Sequence, residues 1–587
     1  MTLAVLFAGS APDAAAEIAD DLTAALRAAG ATTVERIPPA EAARRALRTG
    51  EKLLICADDL VAHPSLLWTL ATEPAGRTTA LVVPDDDGDL REDRGRVLPG
   101  PGAIRYAGAI CVAPADLEVL ADAAEPDDPL AVLLKGGVTP IATRVRLLHA
   151  ERVHDLDGLR RARAAVAAVD EEKARLRLAV KERDDFFTTY AVSSWSPLVT
   201  RWCARLGLTP SGVTGLSVLL AVGAALLFWQ ASRGAMIAGA VLLYLGFVLD
   251  CVDGQLARFT RRFGAFGGWL DTMADRAKEY AVYAGLAAGA ERIGLPYAWP
   301  LAITAIVLQT VRHMTDAWYG ALHDEAAARP RPAAETGVGA RLSAASNRVQ
   351  ADTGSLAYWL KRIVVFPIGE RWALIAVLAA LFDGRVALAG VVAWGVLAFG
   401  YTFALRSLRS VAMKVGVLDT VDTARHRDDG ILVRSLPARI GGPLIFALAA
   451  AVAGLTAVAV HTAAALAVAA VVTLAAGLPA RARHDGPLDW LVPAALRAAE
   501  YLLVVAAALV GGVHPPIAFL LLFVLAMHHY DVVARMEKGA PGSGREILGW
   551  DGRVVLLTAA TLAGWASAGM LVVAALTTLS FLRDLRR

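Results

Sequence analysis

The chain has 587 residues with 58 Lys and Arg against 56 Asp and Glu, a formal net charge of +2, so no strong global field draws it toward nucleic acid. An apolar fraction of 56% with only 19% charged residues departs from the soluble norm of roughly 45–50% and about 25%, which indicates a membrane protein. Cys56, Cys111, Cys203 and Cys251 stand far apart with no zinc-type spacing, which disfavours both a disulfide framework and a structural zinc site.

The opening residues, Thr2 to Ala8, lack a basic region ahead of their short apolar run and read as a first strand rather than a signal peptide. Up to about residue 185, short apolar runs (Thr2 to Ala8, Lys52 to Ala57, Thr79 to Pro84) alternate with helix-patterned stretches, predicting a soluble α/β domain over 1–155. Asp157 to Arg183 is rich in Ala, Arg, Glu and Leu and predicts one long charged helix leaving that domain. From Asp184 to Thr214, Phe186, Phe187, Tyr190, Trp195 and Trp202 interleave with Arg201 and Arg205, the mixture of a helix in the membrane interface. The segment 156–212 is thus a linker and juxtamembrane region.

Six apolar stretches follow, near 213–230, 234–250, 268–290, 297–313, 370–386 and 388–405, each close to the ~20 residues a hydrocarbon core requires. They predict a six-helix membrane core over 213–410. A polar linker over 411–436 leads to a C-terminal membrane domain, 437–587, with about five further helices near 438–460, 462–479, 488–511, 515–532 and 554–582. The last run is too long for one span, so either it breaks at Gly564 or Gly569 or an earlier candidate is re-entrant. The overall class is therefore multi-domain, an α/β soluble part followed by an all-α polytopic region. Basic residues cluster at 258–262, at 329–362 (Arg329, Arg331, Arg341, Arg348, Lys361, Arg362) and at 406–439. The positive-inside rule puts these loops and the N-terminal domain in the cytoplasm.

Asp250, Asp253, Asp271 and Asp275 all fall in apolar, helix-patterned sequence, where an ionised carboxylate costs several kcal/mol unless paired or metal-bound. Asp250 and Asp253 share one helix face at i, i+3, and Asp271 and Asp275 share another at i, i+4. The pairs 250/275 and 253/271 are centred at 262.5 and 262, so in an antiparallel hairpin the four carboxylates meet at one depth, ~15 Å of helical rise from the turn. Carboxylates so placed raise one another's pKa unless divalent cations neutralise them, and all-oxygen ligation suits Mg²⁺, Mn²⁺ or Ca²⁺. A two-ion site is the natural expectation. Gly254, Ala257, Gly267 and Gly268 would admit a ligand or a close helix. Arg258 stands where it could grip a phosphate bidentately or snorkel to the surface, and the neighbouring acids favour the phosphate.

These residues, Asp250-x2-Asp253-Gly254-x2-Ala257-Arg258-x8-Gly267-x3-Asp271-x3-Asp275, match at all eight fixed positions the motif of the CDP-alcohol phosphatidyltransferase family, and the chain resembles that family over roughly 181–410. Thr209-Pro210-Ser211-Gly212-Val213-Thr214 is similar to the family's Thr-Pro-Asn-x-Val-Thr entry to the first membrane helix, with Ser211 in place of Asn. The resemblance implies an integral membrane enzyme, usually a homodimer, with its site open to the cytoplasm. The implied reaction displaces CMP from a CDP-alcohol such as CDP-diacylglycerol by an acceptor alcohol or polyol phosphate, as in phospholipid synthesis. It also implies that Asp250, Asp253 and Asp271 hold the metals, that Asp275 is general base and shares in metal binding, and that Gly254, Ala257, Arg258 and Gly267 receive the CDP-alcohol. Arg312, Arg362 and Arg406 are candidates for the acceptor's phosphate.

The N-terminal domain resembles CTP-using nucleotidyltransferases fused to inositol-phosphate-type transferases, through Leu53 to Asp59 and Leu156-Asp157-Gly158-Leu159. Its Phe7-Ala8-Gly9-Ser10-Ala11-Pro12 loop has one Gly and no basic residue, so it reads as a degenerate or regulatory relative, with Asp58 and Asp59 as a helix-capping pair. In the C-terminal domain, which has the look of an uncharacterised domain attached to such transferases, Arg497, Glu500, Tyr501 and His528 to Asp531 with Arg535 are intramembrane ionisable groups. His528 and Asp531 could ligand a metal or join a structural network. The alternatives to a transferase alone are a bifunctional cytidylyltransferase/transferase and a non-catalytic transporter or scaffold.

Overall fold

The computed structural model describes all residues except 1, 10–11, 73–75, 94, 124–127, 182–183, 322–354, 414–426, 436–440, 483, 485, 538–547 and 585–587. Arg329, Arg331, Arg341 and Arg348, like most of the 411–436 linker, lie outside the described residues. The chain divides into two compact units, Met1–Leu178 and Ala179–Arg587.

In the first unit a six-stranded sheet has the order β2-β1-β3-β6-β5-β7, built from β1 (Thr2–Phe7), β2 (Thr33–Glu35), β3 (Lys52–Ala57), β5 (Thr79–Asp93), β6 (Arg96–Val112) and β7 (Ile141–Arg144). β4 (Leu60–Ala62) and β8 (Ala150–Arg152) form a separate antiparallel pair. β1 runs parallel to β3 in the register Leu3↔Leu53 to Leu6↔Cys56. Both sheet faces are covered, which is why these strands read as unbroken apolar runs. Leu3, Val5, Leu53 and Ile55 pack with α2 (Pro39–Thr49), α4 (Leu117–Ala121) and α5 (Pro129–Lys135). Ala4, Leu6, Leu54 and Cys56 pack with α1 (Pro12–Ala28), α3 (Pro64–Thr72) and α6 (Leu156–Ala167).

The expected single helix over 157–183 is instead two, α6 and α7 (Glu171–Ala179). Asp170 causes the break: its side chain accepts from the Lys173 amide at 3.0 Å and its carbonyl from the Ala174 amide at 2.9 Å, so it starts the second helix as a cap. Nor does α6 leave the domain, because Leu159 and Ala162 are buried in the core. Asp58 and Asp59 are likewise not a helix-capping pair. Asp58 Oδ1 accepts from the Gly9 amide at 2.7 Å, whereas Asp59, fully buried, takes both Nε and Nη2 of Arg152 at 2.8 and 2.7 Å. Those bonds hold the Arg152 guanidinium charged.

The second unit opens with an aromatic segment and α8 (Ser196–Arg205). Tyr190 and Trp202 are exposed, as membrane-interface anchors should be. α9 (Pro210–Gln230) starts where Thr209 Oγ1 accepts from the Gly212 amide at 3.1 Å and Pro210 occupies the first turn, a cap followed by the residue best tolerated there. α10 (Arg233–Thr260) and α11 (Ala265–Arg292) form the hairpin, joined by a turn in which Arg261 takes a left-handed conformation at φ 59°. Gly285 and Gly289 of α11 lie directly on the backbone of α9 at Ala225 and Phe228, an approach any Cβ would block. α12 (Ala298–Tyr319), α13 (Leu356–Val365), α14 (Ile368–Leu381) and α15 (Gly384–Met413) follow. α13 and α14 meet at 76°, at Phe366 and Pro367, where proline removes a backbone donor. The expected span near 370–386 is thus a 14-residue helix that ends at Leu381.

After α16 (Ile431–Ser435) come α17 (Pro443–Val460), α18 (Ala463–Ala476), α19 (Val492–Val510), α20 (Pro515–Glu537), α21 (Trp550–Leu562) and α22 (Ala566–Asp584). The break between the last two falls at Gly564, φ +82°, one of the two glycines at which the sequence could divide the final run. Among the described residues eight helices are long and apolar enough to cross a membrane, five of them after residue 440, or up to nine if the bent pair is one span. α11 and α12 are not among these eight; α11 carries Asp271, Asp275, Arg276, Lys278 and Glu279, and α12 carries Arg312 and Asp316. The chain is a multi-pass membrane protein with an α/β soluble part.

Burial pushes the Cys56 thiol well up and that of Cys111 up to about 11, so both stay protonated and unreactive in the folded unit. Removing one partner of a buried ion pair costs about 3 kcal/mol. Asp59→Ala should therefore raise maleimide labelling of Cys56 and Cys111 at pH 8 roughly a hundredfold over the wild type, read by mass spectrometry of the full-length protein.

Candidate active site

The hairpin brings three of the four aspartates together: carboxylate oxygens of Asp250, Asp271 and Asp275 lie within 4.8 Å of one another. Asp253, on the same face of α10 one turn nearer the hairpin end, is buried and accepts from Thr214 Oγ1 at 2.5 Å. Thr214 belongs to the capped first turns of α9, so the Thr-Pro entry motif and the acid motif are two ends of one contact.

Lys278 is the residue that the sequence reasoning missed. Its ammonium, almost fully buried, forms an ion pair with Asp250, stands 3.1 Å from Asp275 Oδ1 and donates to Ser217 Oγ at 3.0 Å. The signal was present, because Lys278 is i+3 from Asp275 and i+7 from Asp271 and so shares their helix face. The cluster therefore carries one cation of its own against several carboxylates. Beside it Glu279, also buried, pairs with Arg371 of α14 at 2.9 Å and Arg276 at 2.7 Å and accepts from Tyr283 at 2.6 Å.

The donor set fits a hard divalent cation. All candidate ligand atoms are carboxylate oxygens, and the single ammonium of Lys278, 3.1 Å from Asp275 Oδ1, leaves the group with more negative than positive charge. A Cβ on Gly254 would touch the Arg258 guanidinium at 3.4 Å, and one on Gly267 would stand 3.7 Å from Ser211 Oγ. Both are ordinary van der Waals contacts, so neither position is sterically closed. Arg258 Nε donates to the Ala179 carbonyl at 2.6 Å, and the Ala257 carbonyl accepts from the Arg262 amide at 3.0 Å to close α10.

Each of the three expected acceptor arginines has a protein partner of its own. Arg312 donates to the carbonyls of Val365 and Phe366, the latter shared with Arg371 Nη1 at 3.0 Å. Arg406 pairs with Asp316 and lies 5.1 Å from the Tyr319 ring centroid. Arg362 donates to Tyr358 at 2.8 Å. In the C-terminal helices a second group, Asp428, His528 and His529, has ligand atoms within 4.8 Å. Its charge is met from within, because Asp428 Oδ2 lies 2.5 Å from Arg553 Nη2 and 3.9 Å from Arg497 Nη1. His528 and Asp531 do not share a site: His528 turns to Asp428 at 3.2 Å, and Asp531 to Trp269 and Arg535 at 2.7 and 2.8 Å.

Lys278→Met leaves the Asp250 and Asp275 carboxylates without their buried counter-ion, at a cost of about 3–5 kcal/mol. In detergent with a chelator, thermal melting of the variant should fall by several degrees below the wild type, and added Mn²⁺ should restore most of the loss.

Residues 208–399 match the family model described as CDP-alcohol phosphatidyltransferase, and residues 404–584 match a family of unknown function, DUF5941. Among curated proteins, the archaetidylinositol phosphate synthase of Pyrococcus horikoshii is 36% identical over 86 residues, 15% of this chain and 44% of that protein. The phosphatidylinositol phosphate synthase of Mycobacterium tuberculosis is 33% identical over 101 residues, 17% of this chain and 46% of that protein. The bifunctional IPC transferase and DIPP synthase of Aquifex aeolicus is 35% identical over 79 residues, covering 14% and 18%. The chain spans less than half the length of these relatives. Its hairpin of acids lies inside the matched region, and residues 208–399 are accordingly a domain of the CDP-alcohol phosphatidyltransferase family.

Proposed function

We propose that the protein is a divalent-metal-dependent CDP-alcohol phosphotransferase that moves the phosphoryl-alcohol part of a CDP-alcohol, of the CDP-diacylglycerol type, onto an acceptor hydroxyl and releases CMP. The observation that carries this reading is the meeting of Asp250, Asp271 and Asp275 within 4.8 Å on one hairpin, with Asp253 held beside them by Thr214. Asp250, Asp253, Asp271 and Asp275 would hold Mg²⁺ or Mn²⁺, two ions in the favoured reading. When bound, such ions neutralise the diphosphate and stabilise the departing CMP.

The chain's own residues account for the rest. Asp275 takes the proton of the acceptor hydroxyl, its carboxylate standing in the cluster beside Asp250 and Asp271. Gly254, Ala257 and Gly267 leave the backbone approachable for the CDP moiety, and Arg258 turns to its phosphates. Arg312, Arg362 and Arg406 are the basic groups offered to an acceptor phosphate. An inositol-phosphate-type acceptor is favoured because relatives from two domains of life carry phosphatidylinositol phosphate and archaetidylinositol phosphate synthase names. The basic loops favour a cytoplasmic side for the site and the N-terminal unit, and a homodimer is the expected assembly.

The N-terminal unit is read as degenerate rather than as a working cytidylyltransferase. Asp59, the acid at the strand end, spends both oxygens on Arg152, and Asp58 holds the Gly9 amide.

Purified protein in detergent with Mg²⁺ or Mn²⁺ and a panel of CDP-alcohols and acceptors should release CMP with one acceptor class. Asp275→Asn should lower the rate at least ~100-fold while the protein melts as the wild type. Folded wild type that releases no CMP with any pair would overturn the reading.

A further inference from the structure

Helix α11 presents two faces. Asp271, Asp275 and Lys278 make up the one toward α9 and α10. Trp269, Arg276 and Tyr280, spaced i, i+7 and i+11, make up the other. That second face meets α20 of the C-terminal region. Trp269 Nε1 donates to Asp531 Oδ1 at 2.7 Å, and its ring stacks on Phe581 at 6.3 Å. The Arg276 guanidinium lies over the Tyr530 ring, 5.5 Å from its centroid. Tyr280 and Tyr530 hydroxyls are 3.3 Å apart, and His313 of α12 stacks on Tyr530 at 4.4 Å. The contacts thus bracket the acids along α11: Trp269 stands two residues before Asp271, and Arg276 directly follows Asp275.

The residues just ahead of Tyr530 and Asp531 are anchored in the opposite direction. His528 and His529 are buried among Asp428, Arg497, Glu500, Tyr501 and Arg553. In that network Arg553 binds both Glu500 and Asp428, and Tyr501 bonds to His529 Nδ1 at 2.6 Å. Arg535 donates to the second oxygen of Asp531 at 2.8 Å, which fixes the carboxylate that Trp269 reads. One helical turn therefore ties a rigid, charge-balanced interior to the back of the acid-bearing helix.

We propose that the C-terminal region is a working part of the transferase site: Tyr530 and Asp531 are positioning residues that set the rotation and depth of α11 and so the placing of Asp271 and Asp275. This rests on the hairpin being the metal and reaction site. Partners that orient metal ligands from outside are worth 10–100-fold in metal affinity when removed, and a helix rotation of a few degrees moves a carboxylate by a sizeable fraction of a ligand bond.

The test is Mn²⁺ binding to the purified full-length chain, read by electron paramagnetic resonance, with CMP release as a second readout. Asp531→Leu and Trp269→Phe should each weaken Mn²⁺ binding about tenfold and raise by a like factor the Mn²⁺ concentration that half-activates CMP release. The double variant should be no worse than the worse single. Asp531→Asn keeps an oxygen for the indole N–H and should bind close to wild type, so it guards against a variant that fails to fold. Phe519→Leu, which disturbs the packing of Phe519 on Trp299 elsewhere on α20, should leave Mn²⁺ affinity unchanged. Folded Asp531→Leu and Trp269→Phe with wild-type affinity, or an equal loss in Phe519→Leu, would overturn the proposal, as would a wild type that binds no Mn²⁺. Hairpin-dependent Mn²⁺ binding with the predicted losses but no CMP release would sink only the reaction and leave the positioning role standing.

Discussion

Four aspartates share one apolar helical hairpin, and the surrounding second unit is arranged around the cost of keeping them there. An unpaired carboxylate in such a setting is worth several kcal/mol of destabilisation, and like charges at contact distance add to it. Lys278 supplies one ammonium between Asp250 and Asp275, Ser217 orients that ammonium, and Thr214 donates to Asp253. Ser217 and Thr214 come from α9, which explains why small residues of α11, Gly285 and Gly289, sit directly on the α9 backbone. Only a close approach brings short side chains such as Ser and Thr to the acids.

A second layer of charge surrounds the first. Glu279 follows Lys278 on α11 and balances Arg276 and Arg371, and Arg371 in turn shares the Phe366 carbonyl with Arg312. Phe366 is the left-handed residue at the bend between α13 and α14, so the bend presents its last carbonyls to two guanidinium groups. At the start of α14, Glu370 accepts from the amides of Phe186 and Phe187 while Asp185 accepts from that of Gly369. The aromatic entry segment and the bent helix thus close each other's ends. Around the hairpin, charge is concentrated where helices begin, bend or face the acids.

The hairpin was legible because its information is local: four acids, two glycines, an alanine and one arginine at fixed positions within 26 residues, on two helices whose periodicity places them on facing sides. The α/β class of the first unit was legible from its apolar strands, and the break at Gly564 from the excess length of the last run. The break at Asp170 and the bend at Pro367 each had a visible cause, a capping aspartate and a proline, which average composition outweighed. Two features were beyond reach. Asp59 pairs with Arg152 across 93 residues and Asp531 with Trp269 across 262, and helical or strand periodicity tells which face is buried without telling against what. For the same reason His528 and Asp531, i and i+3 on one helix, looked like a ligand pair, although Asp428 and Trp269 claim them separately.

The central claim is that the carboxylates of the α10–α11 hairpin, and not the histidine-containing cluster of the C-terminal helices, form the divalent-cation site. It is tested most directly by an experimental structure of the full-length protein with Mn²⁺, the metal located by its anomalous scattering. The expected result is a peak among Asp250, Asp271 and Asp275, with the Lys278 ammonium shifted off at least one of its carboxylate partners. A peak among Asp428, His528 and His529, with none at the hairpin, would contradict it.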